Sequence, residues 1–299
     1  MFKRVLILGI LLIAAIGVGW LLLRPLAHPH RAPVSEATET VEPTETPAEP
    51  TETPAEPAST AAQASSTPSA SPATPAPAGS GPRVAVIIDD CGQWLEVERG
   101  FIKLPVPLTL SVLPHVHGSA VIAEEANAAG KGVMLHLPME TVSGLYPGPG
   151  EVTTKMSDDQ VRAQVTDDLQ QVPLAQGVNN HEGSKASADE RVMHDVIAVL
   201  AEHGNMFFID SRTSAQSVGE NVAAAAGVPT ASRDVFLDNK ENVSYTEGQL
   251  REAITIAKRS GSAIAIGHPR ATTLAALTAM LPEFQSEGVQ LVLARELTR

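Results

Sequence analysis

Acidic residues and histidines follow the short apolar segments in the C-terminal two-thirds of the chain. The segment 84–88 leads directly into Asp89 and Asp90, and later apolar segments lead into His136, His181, Asp210 and His268. In a β/α barrel the C-terminal ends of the strands converge on one face, and that face carries the chemistry. A chain whose strands end in Asp and His has the side chains to hold a metal ion or to move protons.

Two adjacent carboxylates after an apolar strand are more than a helix cap requires. Neighbouring residues on a strand point to opposite faces, so one of Asp89 and Asp90 can bind a metal while the other acts as a base. One Asp with two His suits Zn²⁺ and leaves positions for water and substrate. With a carboxylate base and a histidine acid, such a centre can hydrolyse an amide or an ester.

His136 is followed four residues later by Glu140, with Pro138 between them. On a turn of helix opened by Pro138, this spacing would place both side chains on one face. We expect His136 to be a metal ligand and consider Glu140 as another. The alternative for His136 is a histidine that only hydrogen-bonds to the backbone.

The segment 179–184 places several polar side chains after the next apolar strand. It carries Asn180, His181 and Ser184 around a glycine, which is typical of a functional loop, with an ordinary Asn/Gly turn as the alternative. His268 suits a general acid because the pKa of histidine lies near neutrality. Asp210 would orient such a histidine, bind substrate, or cap the helix that follows it.

Apolar segments alternate with helical patterns through this part of the chain. The apolar segments occur near residues 84–89, 107–112, 132–137, 176–179, 206–210, 234–237, 263–267 and 289–293. Residues 157–160 predict a helix start with a capping box, and Gly130, Gly204 and Gly261 predict helix ends. Continuous apolar strands between helices predict a parallel sheet covered on both faces. We predict an α/β fold with a barrel of seven or eight units, and an open doubly wound sheet as the alternative.

The first 82 residues differ in composition from the rest. The segment 5–23 is a run of 19 apolar residues without a charge, long enough to cross a bilayer. We predict a membrane anchor over residues 1–31, with a cleaved signal peptide as the alternative. Residues 32–82 are rich in Pro, Thr, Glu and Ala and predict a disordered linker. Residues 83–299 then form one exported domain.

The domain is acidic and has one cysteine. Residues 1–82 hold four basic and seven acidic side chains, a net charge of −3, so the domain carries −10 of the chain's −13. This charge argues against nucleic acid and anionic membrane surfaces as partners. The single Cys91 excludes an internal disulfide and a cysteine-based zinc site.

Other polar residues of the domain have less specific interpretations. His194 and His203 lie within a helical pattern and are predicted to be surface residues. His115 and His117 lie in a loop, where exposure is expected and a place in the cleft is the alternative. Arg233 and Asp238 flank the sixth apolar segment, which suggests an ion pair at the barrel mouth.

Taken in order, these segments resemble the divergent polysaccharide deacetylase family of bacterial envelopes. The resemblance covers essentially all of residues 83–299 and rests on Ile87–Asp90, His136–Glu140, Asn179–Ser184, Asp210–Ser211, Val235–Asp238 and Ala263–Pro269. The family is distantly similar to NodB-type carbohydrate esterases. The resemblance therefore implies a distorted (β/α) barrel, of about seven strands, and a metal-dependent N- or O-deacetylase mechanism.

The resemblance also implies roles for individual residues. Asp89 resembles the catalytic base, Asp90 the metal-binding aspartate, and His268 the catalytic histidine. The remaining predicted site residues are assigned to substrate binding, and they are Glu140, Asn180, Ser184 and Asp210.

The chain departs from the family pattern at the middle motif. Classical members have two histidines four residues apart, where this chain has His136 and Glu140. Either Glu140 replaces the second histidine, or His181 supplies the missing ligand from the next strand. We prefer His181 because imidazole keeps the preference for zinc.

The expected function is that of an exported metal-dependent deacetylase. Its predicted partners are a divalent metal, Zn²⁺, an acetylated envelope polysaccharide or peptidoglycan-related glycan, and the inner membrane, to which the anchor would hold a periplasmic domain. A catalytically inactive envelope protein with a structural role and a metal-dependent amidohydrolase for a non-sugar substrate are the alternatives. No oligomeric state is predicted.

Overall fold

The computed structural model describes residues 81–299, which contain nine strands and seven α-helices. The strands are β1 (Arg83–Cys91), β2 (Thr109–Val112), β3 (Gly132–Met139), β4 (Gly177–Glu182), β5 (Phe207–Asp210), β6 (Thr230–Ser232), β7 (Val235–Phe236), β8 (Ser262–Gly267) and β9 (Gln290–Val292). The helices are α1 (Leu95–Ile102), α2 (Ser119–Ala128), α3 (Asp158–Gln171), α4 (Glu190–His203), α5 (Gly219–Ala225), α6 (Val243–Ser260) and α7 (Ala271–Ser286).

The strands form one parallel sheet in the order β6-β5-β4-β3-β2-β1-β8-β7. The short β9 pairs with the first residues of β1, on the edge whose later residues pair with β2. Within residues 81–299, β6 and β7 do not pair, so the curled sheet stays open between them. The α/β class and the parallel sheet are confirmed, as a half-barrel with an opening.

The predicted count of about seven strands is too low. Eight of the nine strands match the predicted apolar segments; β6, with three residues, matches none, and β7 has only two residues within the segment 234–237. Elements this short leave no periodic pattern in a sequence, because period-two alternation needs about four residues to be recognised. Both strands lie at the ends of the sheet order, where the barrel is left open.

Alternate residues of the strands pack into two separate cores. Val84, Val86 and Ile88 of β1 belong to the larger core, which the sheet shares with the surrounding helices. Ala85 and Ile87 belong to a smaller core, enclosed by the curled sheet with residues of β3, β5 and β8. Because successive side chains of a strand point to opposite faces, this pattern defines an inner and an outer face for each strand.

Several helix boundaries follow local signals in the sequence. The predicted capping box is present, since the Ser157 hydroxyl accepts from the Gln160 N–H and the Gln160 side chain accepts from the Ser157 N–H. Gly261 ends α6 with a left-handed φ of +87°, as its position after the helical pattern predicts. On α4, His194 and His203 are exposed, which confirms their prediction as surface residues.

The turn after β1 is held by a buried carboxylate. Glu98 of α1 is fully buried, and its Oε1 accepts hydrogen bonds from the backbone N–H groups of Gly92, Gln93 and Trp94 at 2.8–3.1 Å. These charge-assisted bonds fix the chain immediately after the two aspartates at the end of β1.

Among residues 81–299, no helix is long and apolar enough to cross a membrane. The predicted anchor, residues 1–31, and all but the last two residues of the predicted linker, 32–82, lie outside the described residues.

Candidate active site

Polar side chains at the C-terminal ends of the strands continue the inner face of the sheet. On β1, Asp89 follows Ala85 and Ile87 at the two-residue spacing that keeps side chains on one face. His136 of β3 and Asn179 of β4 lie on the inner face by the same alternation. All three polar residues are at most 3% exposed, so the small apolar core lies beneath a buried polar cluster.

Asp90 departs from the alternation of β1. Its φ is +57°, in the left-handed region that residues other than glycine seldom adopt. The pairing of β1 with β2 also shifts register between Ile88 and Cys91, so the strand is irregular where Asp90 lies. As a result Asp89 and Asp90 line the same cavity, although regular strand geometry would point them to opposite faces.

Asp90, His136 and His181 bring three potential metal donors together. The Asp90 Oδ1 lies 3.3 Å from the His136 Nε2 and 3.0 Å from the His181 Nδ1. The two histidine nitrogens lie 3.0 Å apart. The Asp90 Oδ1 is buried and has no hydrogen-bond partner among residues 81–299.

This triangle fits a divalent metal. Tetrahedral Zn²⁺ with ligands at about 2.0–2.1 Å requires ligand atoms roughly 3.3 Å from one another. A metal would also satisfy the buried oxygen of Asp90. Burial lowers the pKa of His136, but the carboxylates of Asp89 and Asp90 outweigh that effect and raise the pKa to about 8. The site therefore attracts positive charge, as a proton or as a cation.

Asn179 connects the metal donors to the second aspartate. Its Oδ1 lies 2.9 Å from the His136 Nδ1 and accepts from the Ser111 hydroxyl. Its Nδ2 donates to both carboxylate oxygens of Asp89, at 2.9 and 3.1 Å, and to the Ser211 hydroxyl at 3.0 Å. With its Nδ1–H bonded to Asn179, His136 presents the lone pair of its Nε2 towards the metal position.

Asp89 lies beside the proposed metal without belonging to the ligand triangle. Its Oδ2 is 3.6 Å from the His136 Nε2. Burial raises the pKa of the Asp89 carboxyl, and the nearby His136 and His268 only partly oppose this shift. A raised pKa suits a carboxylate that accepts a proton from water during a reaction.

His268 is paired with a buried aspartate. Its Nδ1 lies 2.8 Å from the Asp238 Oδ1. The other Asp238 oxygen accepts from the backbone N–H of His268 and from the Thr273 hydroxyl. Burial lowers the pKa of His268, but Asp238 reverses the shift and the pKa is raised. The His268 Nε2 points towards the cavity, 3.9 Å from the Asp90 Oδ2. The predicted ion pair of Asp238 with Arg233 is wrong, because Asp238 is engaged by His268.

Replacing Asp238 with Asn is expected to shift the alkaline limb of the pH–rate profile to lower pH. The predicted general acid, His268, must be protonated to donate a proton. The rate of the predicted hydrolysis therefore falls as pH rises through the pKa of His268. Without the Asp238 charge that pKa falls, and the decline begins at lower pH. The rate itself should fall at least about tenfold, because the imidazole loses its orienting partner. The measurement is kcat/KM against pH, with thermal unfolding to check the fold. An unchanged profile would contradict the role of the pair.

Glu140 lies apart from the metal donors. Its two oxygens accept from the Lys185 Nζ at 2.7 Å and from the N–H and hydroxyl of Thr154. The helical turn predicted for residues 136–140 is wrong, because β3 extends through Pro138 to Met139 and separates the two side chains along an extended strand. Burial raises the pKa of Glu140, but Lys185 and Thr154 outweigh it and lower the pKa to about 2. Glu140 therefore binds Lys185 and Thr154 of the neighbouring loops and does not line the cavity.

The other residues assigned to substrate binding differ in position. Asn180 lines the cavity, although its amide also fastens β4 to the next loop by accepting from the Ser211 N–H. Ser184 and Asp210 are not among the cavity residues. The Ser184 hydroxyl accepts from the Val142 N–H, and the buried Asp210 accepts from the Arg212 N–H and the Ser217 hydroxyl. Both side chains are used in holding turns.

Cys91, His115 and His117 lie outside the cavity lining. Cys91 is buried, and burial raises the pKa of its thiol well above the usual value, so it is poorly reactive. His115 and His117 do not line the cavity, and the His115 Nε2 lies 2.9 Å from a carboxylate oxygen of Asp168.

A cavity of about 390 Å³ gives access to these groups. Besides the acidic residues and histidines, its lining includes Arg212, Arg233 and Phe236. None of these three residues, nor Asn179, is among the site residues predicted from the sequence. The spacing of two between Asn179 and His181 was a usable signal, because it places both side chains on one face of a strand.

Comparisons with known proteins identify the family of this chain. Residues 86–298 match the model of a family described as divergent polysaccharide deacetylase. An uncharacterized protein of Haemophilus influenzae is 35% identical over 210 residues, which are 70% of this chain and 74% of that protein. Escherichia coli YibQ is 33% identical over 199 residues, 67% of this chain and 62% of YibQ, so the match spans less than two thirds of that relative.

A solved structure shows the same fold. The crystal structure of an uncharacterized protein from Agrobacterium tumefaciens C58 superimposes with a TM-score of 0.70 at 23% sequence identity, covering 75% of this chain and 92% of that protein. The half-barrel fold is therefore shared with an experimentally determined structure. With the family match over most of its length, this chain belongs to the divergent polysaccharide deacetylase family.

Proposed function

We propose that the protein is a metal-dependent deacetylase that hydrolyses acetyl groups on a glycan of the bacterial envelope. The observation that carries the proposal is the triangle of Asp90, His136 and His181, with a separate carboxylate, Asp89, beside it. When bound there, a divalent cation, for which we propose Zn²⁺, would polarise the acetyl carbonyl and increase the acidity of a water molecule.

The protein groups around the triangle suit the two proton transfers of hydrolysis. Asp89 accepts the proton of the attacking water, and Asn179 holds its carboxylate in place. His268, whose pKa the paired Asp238 raises, donates a proton to the nitrogen or oxygen that leaves the acetyl carbon. The products are acetate and a free amine or hydroxyl on the sugar.

We also propose that the domain acts outside the cytoplasm. The support is the uncharged apolar run at residues 5–23 and the Pro-rich segment that follows it. In this arrangement residues 1–31 hold the protein at the inner membrane, and residues 32–82 extend the domain into the periplasm. The substrate is then an acetylated envelope polysaccharide or a peptidoglycan-related glycan.

Acetate release by the purified full-length protein tests this function. The protein loaded with zinc is expected to release acetate from acetylated glycan fragments, to lose that activity after treatment with a chelator, and to regain it when zinc is restored. Metal-loaded protein that releases no acetate from any acetylated glycan would contradict the proposal. That result would favour an inactive envelope protein that retains the metal centre.

A further inference from the structure

Two arginines line the cavity, and neither has an acidic partner in the described part of the chain. Arg212 and Arg233 both contribute to the cavity wall. The arginines that form ion pairs within residues 81–299 lie elsewhere, and they are Arg99, Arg162, Arg191 and Arg251. The domain has a net charge of −10, yet the two arginines that line its cavity both lack a direct acidic partner among the described residues.

Arg233 donates its hydrogen bonds to backbone carbonyls. Its Nε donates to the carbonyl of Ser211 at 2.8 Å, and one Nη donates to the carbonyl of Arg212 at 3.2 Å. These bonds orient the guanidinium group and leave N–H donors of its fork unused among the described residues. Burial lowers the pKa of Arg233, which means that its charge is partly removed from water. The carboxylates of Asp89 and Asp210 oppose that shift without forming an ion pair with Arg233, and a partly buried charge of this kind is further stabilised when an anion binds to it.

Arg212 is presented to the cavity by a constrained turn. Its φ is +52°, in the left-handed region, and its backbone N–H donates to the buried Asp210 carboxylate at 2.8 Å. Non-glycine residues seldom adopt this region, and those that do cluster at binding sites, where the surrounding structure stabilises them. Asp210 therefore contributes to the cavity indirectly, by fixing the backbone that carries Arg212.

The charges of the cavity favour an anion once the metal is bound. Its lining holds three carboxylates, Asp89, Asp90 and Glu182, and the two guanidinium groups. With a divalent cation added, His136 and His181 neutral as its ligands and His268 protonated as the proposed acid, the sum is +2. The carboxylates of Asp89 and Asp90 lie beside the metal donor His136. The two arginines therefore provide a separate positive region of the cavity.

We infer that the substrate carries a carboxylate on, or next to, the acetylated sugar, and that Arg233 and Arg212 bind it. The inference rests on the proposed deacetylase function and specifies its substrate class as an anionic glycan. Guanidinium groups bind carboxylates through paired N–H donors, which gives both orientation and charge recognition.

Phe236 relates this anion site to the acid–base residues. Its ring centroid lies 5.2 Å from the guanidinium carbon of Arg233 and 5.3 Å from the centroid of the His268 ring. One aromatic ring thus separates the arginine from the proposed acid. This spacing matches a sugar whose charged substituent and acetyl group are attached to the same or neighbouring rings, with Phe236 available for contact with the sugar.

The test compares ligands that differ in one charge. Binding of N-acetylmuramic acid and of its carboxamide is measured by calorimetry on the zinc-loaded full-length protein, and N-acetylglucosamine 6-phosphate serves as the phosphate-bearing probe. We expect the carboxylate to bind at least about tenfold more tightly than the carboxamide, the effect typical of a charged hydrogen bond. Equal binding of the two, or no measurable binding of either, would overturn the inference. Tighter binding of the phosphate than of the carboxylate would also overturn it as stated.

Three variants assign the effect to the cavity. Arg233→Gln and Arg212→Gln should each reduce the preference for the carboxylate, with Arg233→Gln having the larger effect because its side chain is less exposed. Arg259→Gln, on the exposed surface of α6, is the matched control for lost charge and should keep the full preference. Thermal unfolding and zinc content check that the variants are folded. A preference unchanged in both cavity variants would overturn the assignment.

Acetate release is measured in the same samples, which separates this inference from the proposed function. Acetate release from neutral and anionic glycans at equal rates, without a binding preference, would overturn the inference and leave the deacetylase function standing. Arginine-dependent binding of the carboxylate without release of acetate would support the anion site and contradict the deacetylase function.

Discussion

Asp89→Asn is expected to lower the rate of acetate release by about 10²–10⁴-fold, the usual contribution of a general base. Asparagine has nearly the same shape and can still accept from the Asn179 Nδ2, so the site should keep its structure. It cannot take a proton from water at neutral pH. Zinc content should be unchanged, because Asp89 lies outside the triangle of metal donors. The measurements are acetate release and bound zinc per chain.

Asp90→Asn provides the matched comparison, since it changes the adjacent carboxylate in the same way. This variant should lose zinc as well as activity, because the Asp90 Oδ1 is one of the three donors. Undiminished acetate release in the Asp89 variant would show that another group acts as base. Loss of zinc in the Asp89 variant would place that residue among the ligands instead.

Asn179→Ala is expected to weaken zinc binding by about 10–100-fold, the usual effect of losing a residue that orients a metal ligand. The same change should lower the free energy of unfolding by about 3 kcal/mol, because it removes the hydrogen bonds that Asn179 makes to Asp89, to the His136 Nδ1 and to two buried hydroxyls. Zinc affinity is measured by competition with a chelator, and stability by urea unfolding.

Asn127→Ala is the control for Asn179→Ala. Asn127 lies on the exposed surface of α2, so its replacement should change stability by no more than about 0.5 kcal/mol and leave zinc binding unaffected. If Asn179→Ala keeps the zinc affinity of the wild type, the side chain does not orient His136 in the way the hydrogen bonds indicate.

Much of the site could be predicted because strand alternation is a local rule. Once β1, β3 and β8 are recognised from their apolar residues, the polar residues at their ends fall at one edge of the parallel sheet. Asp89 and His136 follow from this rule, and His268 comes directly after β8. The resemblance to the family then distinguished their roles, which the spacing alone left open.

The conformation of Asp90 could not be predicted in the same way. Its left-handed backbone and the register shift of β1 come directly before the turn that the buried Glu98 holds, and no periodic pattern in the sequence signals them. Strand alternation alone would have pointed Asp90 away from Asp89. Tertiary structure thus decides whether two adjacent carboxylates share a site.

The predicted substrate-binding residues outside the cavity are residues whose type suits such a site but whose side chains contact neighbouring loops. Glu140, Ser184 and Asp210 carry the polar groups that a binding site uses, and each is instead engaged by a neighbouring loop. Residue type reveals which hydrogen bonds a side chain can make, whereas the fold decides which partners are in reach. The helical spacing assumed for His136 and Glu140 failed because β3 continues through Pro138.

Bound zinc in the wild type and in three single variants tests the metal centre most directly. The full-length protein and Glu140→Ala should each hold about one zinc ion per chain, and His136→Ala and His181→Ala should hold almost none. Glu140→Ala is a decisive control, because Glu140 was the alternative third ligand. Wild-type protein without zinc, or zinc content unchanged in the two histidine variants, would contradict the proposed centre of Asp90, His136 and His181.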